Sequence, residues 1–384
     1  MQLLAPGPSY SDRAEVWNVH SKCSMNPLNR TFLVALGGAS LLFAGASLGD
    51  SATAKASKPA RDMQAVLDAL AGLGGKPFET LTPVVARTQP TPADAVTVVL
   101  TKKLGKAPKP EAVAKVEDRT YGESNIPVRI YTPKGKGPFP VIVYYHGGGW
   151  VIANLDVYDA SPRALANAAG AIVVSAHYRQ APEYKFPAAH DDAFAAYRWT
   201  LDNAASFGGD PARVAVAGES AGGNLAINTA IRARDEKLTL PLHMLLVYPV
   251  AGSDMTTPSY VTNANAKPLS KAGMEWFVKH VFSDPKQAKD PRIDLVSRKD
   301  LAGLPSATVI TAGICPLRSE GQMLAKNLAA AGVKVDATDY PGATHEFFGM
   351  AAAVADAKVA QKRAGKNLKA AFKAPKPASK VSTR

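Results

Sequence analysis

From about residue 118 the chain alternates short β-branched runs with stretches of helical spacing, and that rhythm restricts the folds open to it. The runs fall at 128–131, 141–145, 171–177, 213–217, 245–248, 307–311 and 335–340, and the helical stretches at 159–169, 190–206, 222–234, 320–331 and 351–372. Apolar strands joined through helices predict a mostly parallel central sheet with helices on both faces. The opening strands are expected to run antiparallel, because only the turn PKGKGP separates IYT from VIVYY. Two segments break the rhythm. Residues 60–115 hold one amphipathic helix, RDMQAVLDALAGL, followed by a Pro-interrupted stretch, and residues 253–295 contain KAGMEWFVKHVF with little strand character. An insertion of that size between two strands predicts a lid rather than a structureless loop. The expected body is therefore an N-terminal cap segment over 55–117 and an α/β domain over 118–372, with a cap insertion at about 253–295.

The two ends read differently. Met25 opens a segment with a single Arg30, an apolar run from Thr31 to Leu48, and small residues at Ala52 and Ala54. These are the parts of a secretory signal peptide over 25–54, cleaved after Ala54, which makes residues 1–24 a dispensable or non-native extension. Glycines at 37, 38 and 45 weaken the alternative of an uncleaved membrane anchor. The expected product is an exported protein, periplasmic or secreted, with no membrane span after the signal. Cleavage removes Cys23 and leaves Cys315 as the one cysteine, without an intramolecular disulfide partner or a cysteine metal site. The net charge of +13 suggests an anionic partner, but nine Lys or Arg against Asp356 alone fall from residue 351 onward. That stretch reads as a basic helix followed by a disordered, Pro- and Lys-rich tail over 373–384. No recognition motif accompanies the charge, so nucleic-acid binding is not expected.

Gly218-Glu219-Ser220-Ala221-Gly222 fits G-x-S-x-G between the strand RVAVA and the helical stretch NLAINTAIRA. Strand, tight turn and helix is the setting of a nucleophile elbow. His146-Gly147-Gly148-Gly149-Trp150 follows the buried run VIVYY. Its three glycines leave backbone N–H groups unshielded, and together with the N–H of Ala221 these can form an oxyanion hole. A phosphate-binding turn is the alternative, but the Lys-Ser/Thr of a P-loop is missing. Among the histidines, His345 follows the last expected strand, where ligand sites of open α/β sheets lie. His146 belongs to the glycine loop, and His177, His190, His243 and His280 read as packing or surface residues.

HGGGW, YRQAPEYKFPAAHDD, GGDPARVAVAGESAGGNLA and THEFF together resemble the hormone-sensitive-lipase-like branch of the α/β-hydrolases, over about residues 120 to 350. The branch includes bacterial short-chain carboxylesterases and acetyl hydrolases. The resemblance implies an α/β-hydrolase fold with a helical cap and a small acyl-ester substrate, with no metal or organic cofactor. It also implies a serine nucleophile at Ser220, oxyanion donors at Gly148, Gly149 and Ala221, and a general base at His345. The family's acid is an aspartate in an Asp-Pro-Leu turn after the penultimate strand. Here that turn reads Ile314-Cys315-Pro316-Leu317, so Cys315 stands at the acid position. Replacing the acid by a neutral group can cost about 10⁴ in kcat, roughly 5 kcal/mol of transition-state stabilisation. Four readings stay open: a serine carboxylesterase weakened by the substitution; Glu320 as surrogate acid, set against a plain charge partner for a helix N-terminus; Cys315 as a thiolate or an oxidised sulfinate; and a catalytically silent relative that binds acyl ligands or partners. Cys315 as nucleophile would leave GESAG without a purpose.

Overall fold

The computed structural model describes residues 57–374; the expected extension and leader over 1–54 and nearly all of the expected basic tail lie outside the described residues. Helices α1 (Arg61–Gly72), α2 (Pro83–Ala86) and α3 (Pro92–Leu104) come first. The strands are β1 (Lys115–Tyr121), β2 (Ile126–Thr132), β3 (Phe139–Tyr145), β4 (Ile172–Ala176), β5 (Gly209–Glu219), β6 (His243–Val247), β7 (Ser306–Ile314) and β8 (Val335–Thr344). Helices α4 (Ala160–Ala169), α5 (Ala188–Asn203) and α6 (Ala221–Asp235) lie among β3 to β6. After β6 come α7 (Pro258–Thr262) and α8 (Lys271–Val281); α9 (Arg318–Ala330) joins β7 to β8, and α10 (Ala355–Lys373) closes the chain.

One sheet forms, in the order β1-β2-β4-β3-β5-β6-β7-β8. From β4 to β8 all pairings are parallel, while β1 and β4 both pair antiparallel with β2. The expected α/β-hydrolase sheet is present, with one correction to its opening. β2 and β3 do run in opposite directions, but β4 lies between them. The antiparallel hairpin is β1–β2, and β1 is a strand that the sequence reading did not name. Its residues, KVEDRTY, are largely exposed and charged, as suits an edge strand. The central strands β3, β4 and β6 are almost wholly buried, which explains their unbroken apolar runs.

The two segments outside the rhythm meet above the C-terminal ends of the strands. Trp276 of α8 donates its indole N–H to the Leu81 carbonyl at 3.0 Å, and the ring of Phe78 packs on Trp276 and Phe277 with centroids 5.4 and 5.1 Å apart. Arg87, at the end of α2, donates to the carbonyls of Val151 and Ala181 at 2.8 Å each and pairs with Glu183. A capping box at Thr91 and Asp94 starts α3. At the other edge, the Ala60 N–H donates to the Gly342 carbonyl at 2.9 Å, and fully buried Met63 lies under Thr344, whose hydroxyl is 3.4 Å from its sulfur. The N-terminal segment is thus tied to the residue before His345. Truncating Met63 to alanine removes a core side chain and is expected to cost about 2–5 kcal/mol. The measurement is urea denaturation, where the midpoint falls at an unchanged slope; an unshifted midpoint would mean that α1 is not part of the cooperative core.

Candidate active site

Ser220 occupies the turn between β5 and α6 at φ 57°, ψ −119°. A non-glycine residue at positive φ stores strain of about 1–3 kcal/mol and persists only where its surroundings dictate it. Here the Ser220 N–H donates to the Val247 carbonyl at 2.9 Å, and the Ser220 carbonyl accepts from Val250 at 3.1 Å. Gly222 is required by contact: a Cβ there would lie 2.0 Å from the Tyr145 carbonyl oxygen at the end of β3. The start of α6 therefore rests directly on the strand that leads into the glycine loop.

Three side chains line up across strand ends. His345, the residue after β8, places Nε2 2.9 Å from Ser220 Oγ. On the far side of the ring, Nδ1 lies 3.2 Å from Sγ of Cys315, the residue after β7. The ring is buried and packs against Tyr248, with centroids 4.5 Å apart. Burial alone pushes its pKa down to about 3, so the imidazole is neutral across the physiological range. Cys315 is fully buried, and burial pushes its thiol up, away from the thiolate. The Leu317 N–H donates to Sγ at 3.4 Å. A neutral thiol, not an anion, therefore faces Nδ1.

Glu320 does not take the surrogate position. Its Oε1 accepts from the N–H groups of Ala251 at 2.8 Å and Gly252 at 3.2 Å, and its buried Oε2 has no hydrogen-bond partner. Burial raises its pKa to about 8, which leaves it uncharged at neutral pH. The first turn of α9 carries it toward the chain after β6 rather than toward the imidazole.

Gly148 and Gly149 both take positive φ and line the same pocket as Ser220 and His345. Ala221 opens α6, where the first N–H groups of a helix have no intrahelical acceptor. His146 anchors the loop from behind. Its Nδ1 lies 2.7 Å from the Gly147 carbonyl, its Nε2 lies 3.0 Å from His177 Nδ1, and its ring stacks on Tyr178. Burial pushes its pKa down to about 3. His190 pairs with Asn224, His243 with Ser306 and Thr308, and His280 with the Trp276 carbonyl, all of them packing contacts.

Two carboxyl groups near the serine, Glu219 buried and Glu346 half-buried, escaped the sequence reading. Glu219, the residue before Ser220, accepts from Tyr144 Oη at 2.6 Å and from Tyr248 Oη, and burial raises its pKa. Glu346 follows His345 and accepts from Tyr158 Oη. Both lie inside motifs already singled out, but spacing alone does not say where such side chains point. The pocket above the serine has a volume of about 360 Å³. Leu67 and Leu70 of α1, Phe78, and Met274 and Phe277 of α8 supply much of its apolar wall.

A model of the α/β-hydrolase fold matches residues 142–349. Carboxylesterase NlhH of Mycobacterium tuberculosis is 41% identical over 295 residues, which cover 74% of this chain and 92% of that protein. An ethyl acetate hydrolase of Pseudomonas putida is 33% identical over 257 residues, 66% of this chain and 81% of that one. The solved structure of a hyperthermophilic esterase from Pyrobaculum calidifontis superposes with a TM-score of 0.73 at 35% identity, covering 82% of this chain and 98% of the other. The chain belongs to the α/β-hydrolases, in their hormone-sensitive-lipase-like branch, and is a carboxylic ester hydrolase.

Proposed function

We propose that the protein hydrolyses short-chain acyl esters through an acyl-enzyme on Ser220, with its rate held down by Cys315 at the third position of the triad. The 2.9 Å contact between Ser220 Oγ and His345 Nε2, made inside the glycine-lined pocket, carries this reading. In the first half-reaction Oγ bonds to the acyl carbon while its proton passes to Nε2. The carbonyl oxygen takes up the negative charge and accepts from the N–H groups of Gly148, Gly149 and Ala221. The proton then moves from Nε2 to the leaving alcohol, and water repeats the sequence to free the acid. A cavity of about 360 Å³ lies at the small end for ligand pockets and suits a short acyl chain. The expected leader over 25–54 would place this activity outside the cytoplasm.

The consequence of a thiol at Nδ1 is a matter of tautomers. Productive attack needs a free lone pair on Nε2, hence the proton on Nδ1. A carboxylate enforces that arrangement and steadies the imidazolium that follows. A neutral thiol accepts weakly from Nδ1–H and can instead donate S–H to the Nδ1 lone pair, which puts the ring proton on the wrong nitrogen.

Hydrolysis of p-nitrophenyl acetate should therefore rise roughly 10²-fold to 10⁴-fold in kcat on Cys315→Asp. The Leu317 N–H that now reaches Sγ is placed to hold the new carboxylate. Ser220→Ala should fall to the spontaneous rate. Equal rates for the native protein and Cys315→Asp would contradict the weakened triad, and turnover by none of the three would favour a ligand-binding role. A second measurement concerns the thiol. Iodoacetamide at neutral pH should leave Cys315 unmodified in the folded protein and alkylate it after unfolding, and its peptide should carry no added oxygen. Prompt alkylation of the native protein would instead support a thiolate–imidazolium pair.

A further inference from the structure

Glu346 is the second unusual residue of the site, and it lies on the opposite side of the imidazole from Cys315. It sits at φ 70°, ψ −1°, a left-handed conformation that favours glycine and disfavours a glutamate. From there its Oε1 lies 3.7 Å from His345 Nε2, the nitrogen that exchanges a proton with Ser220. Its carboxyl lines the pocket with a fifth of the side chain still open to it. Tyr158 fixes the group, its hydroxyl 2.7 Å from both oxygens. The glycine loop is shaped around that pair: a Cβ on Gly147 would come 2.2 Å from Tyr158 Oη. The strained backbone, the dedicated tyrosine and the contact with Nε2 together place a carboxyl where a positive charge develops during turnover.

We propose that Glu346 supplies, from the Nε2 side of His345, the negative charge that Cys315 does not supply at Nδ1. The inference rests on the Ser220–His345 reading above and assigns Glu346 as a positioning residue that acts through His345. When Oγ bonds to the acyl carbon and its proton moves to Nε2, the imidazolium forms beside the Glu346 carboxylate. When Nε2 returns that proton to the leaving alkoxide, the carboxylate is unchanged, so it gains and loses no proton in the cycle. Its effect is Coulombic and is largest while the ring is charged.

The groups facing Glu346 set the pH at which it can act. Tyr158 donates to it, Glu219 repels it, and His345 lies beside it. The phenols of Tyr144, Tyr178 and Tyr248 and the thiol of Cys315 lie farther out. Burial first, then Glu219, raises its pKa to about 8. For a carboxyl the raised value means a neutral acid below that pH and a carboxylate above it. Activity that depends on Glu346 therefore rises with pH through about 8.

The test is a cycle of native protein, Glu346→Gln, Cys315→Asp and the double variant, assayed with p-nitrophenyl acetate from about pH 6 to about pH 10 after subtraction of spontaneous hydrolysis. The expected result is a loss of about tenfold or more in kcat for Glu346→Gln in the native background at the alkaline end, against less than about twofold in the Cys315→Asp background. The limb near pH 8 should vanish from the Glu346→Gln profile. Glu346→Gly, which suits the left-handed backbone, should keep its thermal midpoint and lose the same limb, so that misfolding cannot imitate the result. Equal losses in both backgrounds, or an unchanged limb, would overturn the proposal, as would a native protein inert at every pH beside an active Cys315→Asp. Hydrolysis that survives Ser220→Ala would bring down the serine mechanism itself, a failure distinct from the others.

Discussion

The close seating of α6 on the end of β3 is the contact on which the site depends. With Gly222 against the Tyr145 carbonyl, the strand that carries Ser220 and the strand that leads into the glycine loop end at one level. Parallel pairing extends that level across β6, β7 and β8, so that residues distant in sequence emerge side by side. Ser220 and His345 stand 125 residues apart in the chain and in hydrogen-bond contact in space. The left-handed backbone at Ser220 is stable because two hydrogen bonds to the chain around the end of β6 leave it no relaxed alternative.

Burial sets the electrostatics. The enclosure that keeps His345 neutral also neutralises Cys315 and lifts the carboxyls of Glu219, Glu320 and Glu346. Burial makes charge costly in such a site, so the position of a counter-charge matters more than the number of acids nearby. Glu320 is a carboxyl close in sequence to the expected acid, yet its hydrogen bonds are spent on two backbone N–H groups.

Much of the fold was legible because its cues are local. The β-branched runs name seven of the eight strands among the described residues, and the glycine spacing of GESAG names the turn at Ser220. The edge strand β1 was missed because a charged, half-exposed KVEDRTY carries no apolar signature. Without it, β3 stood as the antiparallel neighbour of β2, a place that β1 and β4 take. Within the site, the expectation of Cys315 beside His345 came from the likeness of its turn to the family's Asp-Pro-Leu turn, whereas the directions of Glu320 and Glu346 had no such cue. The first depends on the rotation of α9 about its axis. The second depends on a left-handed residue and on a tyrosine 188 positions away, contacts that only the assembled sheet creates.

The hydrogen bond from Ala60 to Gly342 has a mechanical meaning. The segment that walls the acyl pocket through Leu67 and Leu70 is the same segment that grips the chain just ahead of His345. An acyl group long enough to lever α1 outward would drag on that chain and loosen the imidazole from the serine. The wall of the pocket and the placement of His345 are in this sense one mechanical unit.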